Sequence, residues 1–118
     1  MYYARMKTDG SGFEPQRNVI THAYGLDGGG SVAADGEGNV YVVWHAGEEG
    51  EQSRRVYTAR SDDGGETFSA EVAASDEIEG ACGCCGIRAA AGVDGTYPCF
   101  TARKCFPTNK YEHSSNLL

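Results

Sequence analysis

Eight residues near the middle of the chain, Ser61-Asp62-Asp63-Gly64-Gly65-Glu66-Thr67-Phe68, constrain its folding more than any other stretch. The spacing is Ser-x-Asp-x-Gly-x-Thr-Phe. A short carboxylate such as Asp63 can fold back onto backbone N–H groups of its own turn. Gly64 and Gly65 reach positive φ without steric cost. Thr67 is suited to restart a strand, and Phe68 gives that strand a large apolar anchor. Strand-forming residues flank the turn, with Arg55-Val56-Tyr57-Thr58-Ala59-Arg60 before it and Phe68-Ser69-Ala70-Glu71-Val72 after it. The stretch predicts a β-hairpin closed by a stapled turn, over 54–61 and 67–73.

The same hairpin recurs. When Tyr2 is laid over Tyr57, a shift of 55 residues, Ala4 falls on Ala59, Arg5 on Arg60, Gly10 on Gly65 and Phe13 on Phe68. The earlier copy is degenerate: Met6, Thr8 and Gly12 stand where the later copy has Ser, Asp and Thr. A second hairpin recurs as well. Ser31 to Trp44, turning at Asp35-Gly36-Glu37-Gly38-Asn39, is matched by Arg88 to Tyr97, with Gly38 over Gly95 at a shift of 57. Two different hairpins at nearly one period mark a repeat architecture.

The residues Ser61, Asp63, Gly65, Thr67 and Phe68 resemble the Asp box, or bacterial neuraminidase repeat, found in sialidase-like β-propellers. The resemblance implies an all-β fold: a partial propeller of antiparallel four-stranded blades, about two blades and the start of a third. The pieces are expected at 1–19, 31–73 and 87–103. In that family the box lies at the turn between a blade's third and fourth strands, away from the active site. The family's chemistry uses an Arg triad for the substrate carboxylate, a Tyr nucleophile assisted by Glu, and an Asp acid/base. The Phe-Arg-Ile-Pro motif of many sialidases is absent, and none of Arg5, Arg54, Arg55, Arg60, Arg88 and Arg103 sits in a sialidase motif. Tyr24, Tyr41 and Tyr57 read as strand or loop aromatics. The resemblance therefore reaches the repeat and not a catalytic set. It implies a fragment of a sialidase-like glycoside hydrolase-type protein, inactive without its remaining blades. The alternative is a non-enzymatic propeller module that binds a glycan or a protein. The parent's compartment stays open, with a secreted or periplasmic one in view.

Composition narrows the partners. The chain of 118 residues has 17 acidic and 10 basic side chains and a net charge of −7. That balance argues against nucleic acid or an anionic membrane as the main partner, since both need a basic face. No run of about 20 apolar residues predicts a membrane-spanning helix. The N-terminus has no apolar stretch of the signal-peptide kind, and the chain reads as starting inside a blade. Five cysteines are present, an odd number that leaves at least one unpaired or paired outside the chain. Cys82, Cys84 and Cys85 lack the spacing of zinc ribbons and are read as a disulfide or thiol cluster. No cofactor and no metal are expected.

Strand order places the candidate site. In a four-stranded antiparallel blade the first and third turns share one end, so the box shares an end with Asp35–Asn39. Function is expected at the opposite end, on loops 20–30, 46–54 and 74–86. Candidate residues there are His22, Tyr24, Asp27, Arg54, Asp76 and Glu77. Glu48, Glu49 and Glu51 are expected as a solvated loop. Pro98 interrupts what would be a central strand, and 104–118 shows no strand periodicity. That segment is read as a frayed or out-of-frame tail.

Overall fold

The computed structural model describes residues 1–24, 29–47, 54–74, 86–93, 99–100 and 104–105. All regular structure among them is strand, and every pairing is antiparallel. Strands β1 (Tyr2–Tyr3) and β2 (Arg17–Asn18) form a two-stranded sheet. Strands β3 (Gly30–Ala34), β4 (Val40–Ala46), β5 (Arg55–Ser61) and β6 (Val72–Ala73) form a four-stranded meander in chain order. Strands β7 (Ala89–Ala90), β8 (Cys99–Phe100) and β9 (Lys104–Cys105) form a three-stranded sheet. The described residues form an all-β structure, the class that the resemblance implies.

The 55-residue repeat is written in the backbone pairing. Tyr2 lies opposite Asn18 and Tyr3 opposite Arg17. Residues 55 positions later pair identically, Tyr57 with Ala73 and Thr58 with Val72. Two flanking bonds follow the same rule. Glu14 donates its N–H to the Arg5 carbonyl at 2.9 Å, and Ser69 donates to Arg60 at 2.8 Å. Val19 donates to Met1 at 3.0 Å, and Ala74 to Val56 at 2.7 Å. The second repeat is looser. A shift of 57 on both arms would set Ala89 opposite Cys99, but Ala89 lies opposite Phe100. One arm is thus offset by a residue, which exchanges the faces its residues occupy.

Strand β4 carries the core. Its sequence Val-Tyr-Val-Val-Trp-His-Ala is apolar at almost every position, and all seven residues are buried. Such a strand must be covered on both faces. On one face Val42, Trp44 and Ala46 pack with Ala59, Val19 and Ala23, flanked by Tyr3, Tyr57 and Phe68. On the other, Tyr41 and Val43 pack with Val56 and Ile87, flanked by Ala74, Ala89 and Ala91. The β1–β2 sheet therefore covers one face of the meander, and the segment leading into β7 covers the other. Trp44 is fully enclosed and donates its indole N–H to the Ala23 carbonyl at 3.1 Å.

One expected strand differs. Of residues 67–73 only Val72–Ala73 forms β6, although Ser69 still donates to the Arg60 carbonyl. The cause is local: Thr67 spends its N–H and hydroxyl on Asp63 and so belongs to the turn. Lys104–Cys105, at the start of the 104–118 segment that shows no strand periodicity in sequence, pairs with β8. A neighbouring strand edge can recruit residues that show no periodicity of their own.

Candidate functional site

The two ends of the meander have different chemistry. At the box end, Ser61 is buried and its hydroxyl donates to Asp63 Oδ1 at 2.7 Å while accepting the Gly65 N–H at 2.8 Å. Asp63 accepts from the Glu66 N–H at 2.9 Å, the Thr67 N–H at 2.9 Å and the Thr67 hydroxyl at 2.5 Å. These bonds, led by the Thr67 and Ser61 hydroxyls, hold the Asp63 carboxyl well below the usual carboxylate range. Gly64 and Gly65 take φ of 73° and 88°. Each box position therefore has a structural duty within the turn.

The box is also a joint between sheets. Arg5 donates from Nη1 to the Gly64 carbonyl at 2.7 Å, from Nη2 to Glu66 at 3.1 Å and from Nε to Glu14 at 2.9 Å. Arg17 donates to the Gly65 and Glu66 carbonyls and to Glu14. The Tyr3 ring meets the Phe68 ring edge-on, with centroids 4.9 Å apart. Gly64 donates to the Gly38 carbonyl at 3.0 Å, so the box shares an end with the 35–39 turn. Arg60 closes that end by donating to Asn39 Oδ1 at 2.8 Å and lying over the Tyr41 ring. Asn39 in turn donates to Asp35 at 2.7 Å.

At the opposite end, the connection after β2 is held by one buried carboxylate. Glu71 accepts N–H groups from Thr21, His22 and Ala23 at 3.0, 2.7 and 2.6 Å, and also the Thr21 hydroxyl. Burial alone would raise the Glu71 pKa. The Thr21, Ala23 and His22 bonds outweigh it and hold the group at about 2. A carboxylate with four donors is an anchor and not a proton acceptor at neutral pH. The anchored segment presents His22 and Tyr24, both exposed. The His22 ring lies edge-on to Tyr57, 6.3 Å between centroids. Gly47 donates to the Tyr24 carbonyl at 3.2 Å, joining this segment to the end of β4.

Of the six candidate residues, His22 and Tyr24 are thus on one anchored segment. Arg54 lies at the same end, next to the Arg55–Ala46 pair. Asp27, Asp76, Glu77, Glu48, Glu49 and Glu51, with Cys82, Cys84 and Cys85, lie outside the described residues. Three arginines are committed elsewhere: Arg5 and Arg17 at the box carbonyls, Arg60 at Asn39. Among the described residues no group of three or more His, Cys, Asp or Glu side chains could hold a metal. No described helix is long and apolar enough to cross a membrane. Sequence reasoning missed Glu71 and the Arg5–Glu14–Arg17 network. The match of Arg5 to Arg60 pointed at the right residue, but the two arginines have different partners. Comparison of the chain with protein-family models, with curated proteins and with solved structures returns no match.

Proposed function

We propose that this chain is part of a sialidase-like Asp-box β-propeller, and that ligand engagement belongs to the end carrying His22, Tyr24 and Arg54. The observation that carries this reading is the saturation of the box. Every polar atom that defines Ser61 and Asp63 is spent on the turn itself. The Ser61 and Asp63 side chains thus have no acceptor to offer a ligand, and the box acts as a structural staple. The opposite end carries exposed aromatic and imidazole groups on a segment fixed from beneath by Glu71. Exposed, rigidly held aromatic and polar side chains suit the faces and hydroxyls of a sugar.

A second reading, a glycan-binding or protein-binding module without catalysis, is favoured by the arginines. A sialic acid carboxylate needs convergent cations, yet Arg5, Arg17 and Arg60 are all held at the box end. Glu71, the buried carboxylate nearest His22, is saturated with donors and cannot assist a Tyr nucleophile. The 118-residue chain is therefore expected to release no dye from a sialic-acid reporter. Titration with a sialoside and with a neutral oligosaccharide, followed by amide shifts, is expected to move the 22–24 and 54 signals and leave 61–67 unmoved. Shifts centred on the box turn would overturn the assignment of ends. Reporter hydrolysis abolished by a change at His22, Tyr24 or Arg54 would favour the enzyme over the binding module.

A further inference from the structure

The hydrogen bonds of the anchored segment decide where the His22 ring carries its proton. Glu71 accepts the N–H groups of Thr21, His22 and Ala23. A carboxylate that receives several N–H groups is ionised and can only accept. The Thr21 hydroxyl bonds to the same carboxylate, so it spends its one hydrogen there. Its oxygen is left with lone pairs alone. That oxygen lies 3.1 Å from His22 Nδ1. The contact is a hydrogen bond only if Nδ1 carries a proton and donates it.

A second distance agrees. His22 Nδ1 lies 3.6 Å from Glu71 Oε1, too far for a hydrogen bond but within reach of the charge. A lone pair on Nδ1 would be repelled by that carboxylate, and an N–H is attracted to it. In a neutral imidazole one nitrogen donates and the other accepts, and the bond made by one sets the state of the other. With the proton on Nδ1, the lone pair belongs to Nε2. Among the described residues Nε2 has no hydrogen-bond partner, and the His22 side chain is 64% exposed. Tyr57 supports the ring edge-on.

We propose that Glu71, acting through the Thr21 hydroxyl, is a positioning residue that sets His22 to meet a ligand hydroxyl as a hydrogen-bond acceptor at Nε2. The ligand part rests on the proposal that the end carrying His22 and Tyr24 engages a saccharide. The proton placement does not, because it follows from bonds within the chain.

Nitrogen-15 spectra of the imidazoles, taken at mildly alkaline pH where histidine is neutral, read the tautomer directly. The chain has three histidines, His22, His45 and His113, and His22→Asn identifies the signals of the first. His22 is expected to show a protonated Nδ1 and a bare Nε2. Thr21→Val keeps the backbone donors to Glu71 but removes the acceptor for Nδ1, and is expected to shift the population toward protonated Nε2. Thr21→Ser is expected to restore the wild-type pattern. Emission from Trp44, which is fully enclosed, reports whether each variant is folded, and Thr21→Ala replaces Thr21→Val if that one is not. A wild-type His22 protonated at Nε2 would overturn the proposal. So would a folded Thr21→Val or Thr21→Ala chain with an unchanged tautomer, since Thr21 would then be structural only. Lactose and sialyllactose are then titrated in turn, and the Nε2 signal is expected to move toward its protonated position together with the 22–24 amides. Amide shifts without movement of Nε2 would overturn the acceptor role alone. No shift at 22–24 from either sugar would overturn the saccharide reading and the acceptor role with it.

Discussion

Asp63 and Glu71 are two carboxylates eight residues apart that solve one problem, unsatisfied backbone N–H groups, over different ranges. Asp63 gathers donors no more than four residues away. Glu71 gathers donors 48 to 50 residues away. That difference decides what can be read from the sequence. A local network imposes a spacing, and Ser-x-Asp-x-Gly-x-Thr-Phe is that spacing. A distant network imposes none, so Glu71 looked like any strand residue. Ser61→Ala is expected to cost about 1–3 kcal/mol, because the buried Gly65 N–H would lose its acceptor. Asp63→Ala is expected to lower the melting midpoint by several degrees. Glu66→Ala should do much less, since its ion pair with Arg5 is exposed and worth about 0–1 kcal/mol. Chemical denaturation of the three variants checks the order, and a Glu66 effect equal to that of Asp63 would contradict the box geometry.

At the scale of elements, β3, β4 and β5 were legible because their residues alternate or run apolar between turn glycines. β5 falls within one residue of the expected 54–61, and β3 and β4 are the two arms of the expected Ser31–Trp44 hairpin, β4 running on to Ala46. The joint between sheets was not legible, because it depends on Tyr3, Arg5 and Arg17 reaching the box from another hairpin. Gly65 shows how tight that joint is. A Cβ there would lie 2.3 Å from the Tyr3 hydroxyl oxygen and 2.9 Å from Cζ, on a backbone already at φ 88°. Gly38 has a similar φ of 89° but nothing within 4 Å of an added Cβ. Gly38→Ala should therefore cost only the backbone strain, about 1–2 kcal/mol, and Gly65→Ala clearly more. Tyr3→Phe removes the nearest atom, so it should recover part of the loss in the Gly65→Ala background. Denaturant midpoints of the four variants give the coupling directly. Additive effects would mean that Tyr3 does not seat on the turn.

Across the whole molecule, acid is the condition that tests the two anchors together. Glu71 ordinarily titrates near 4.5 and is held at about 2 in the folded chain. A carboxyl with a depressed pKa contributes its full stability above the unfolded value and loses it as pH falls toward the folded one. The contribution of Glu71 is therefore complete above about 4.5 and fades between there and about 2. Asp63, Asp35 and Glu14 are also shifted downward, so they add to the same loss. Stability of the wild-type chain, followed through Trp44 emission, is expected to fall steeply across that window. Glu71→Gln cannot accept all four donors and also brings two N–H groups of its own toward them. It should be less stable at neutral pH, and its stability should fall less between pH 4.5 and 2, because one of the titrating groups is gone. Among the described residues Asp63, Asp35, Glu14 and Asp9, all shifted downward, should then shape the acid limb. Parallel wild-type and Glu71→Gln curves over that interval would show that the segment carrying His22 and Tyr24 is not held by this carboxylate.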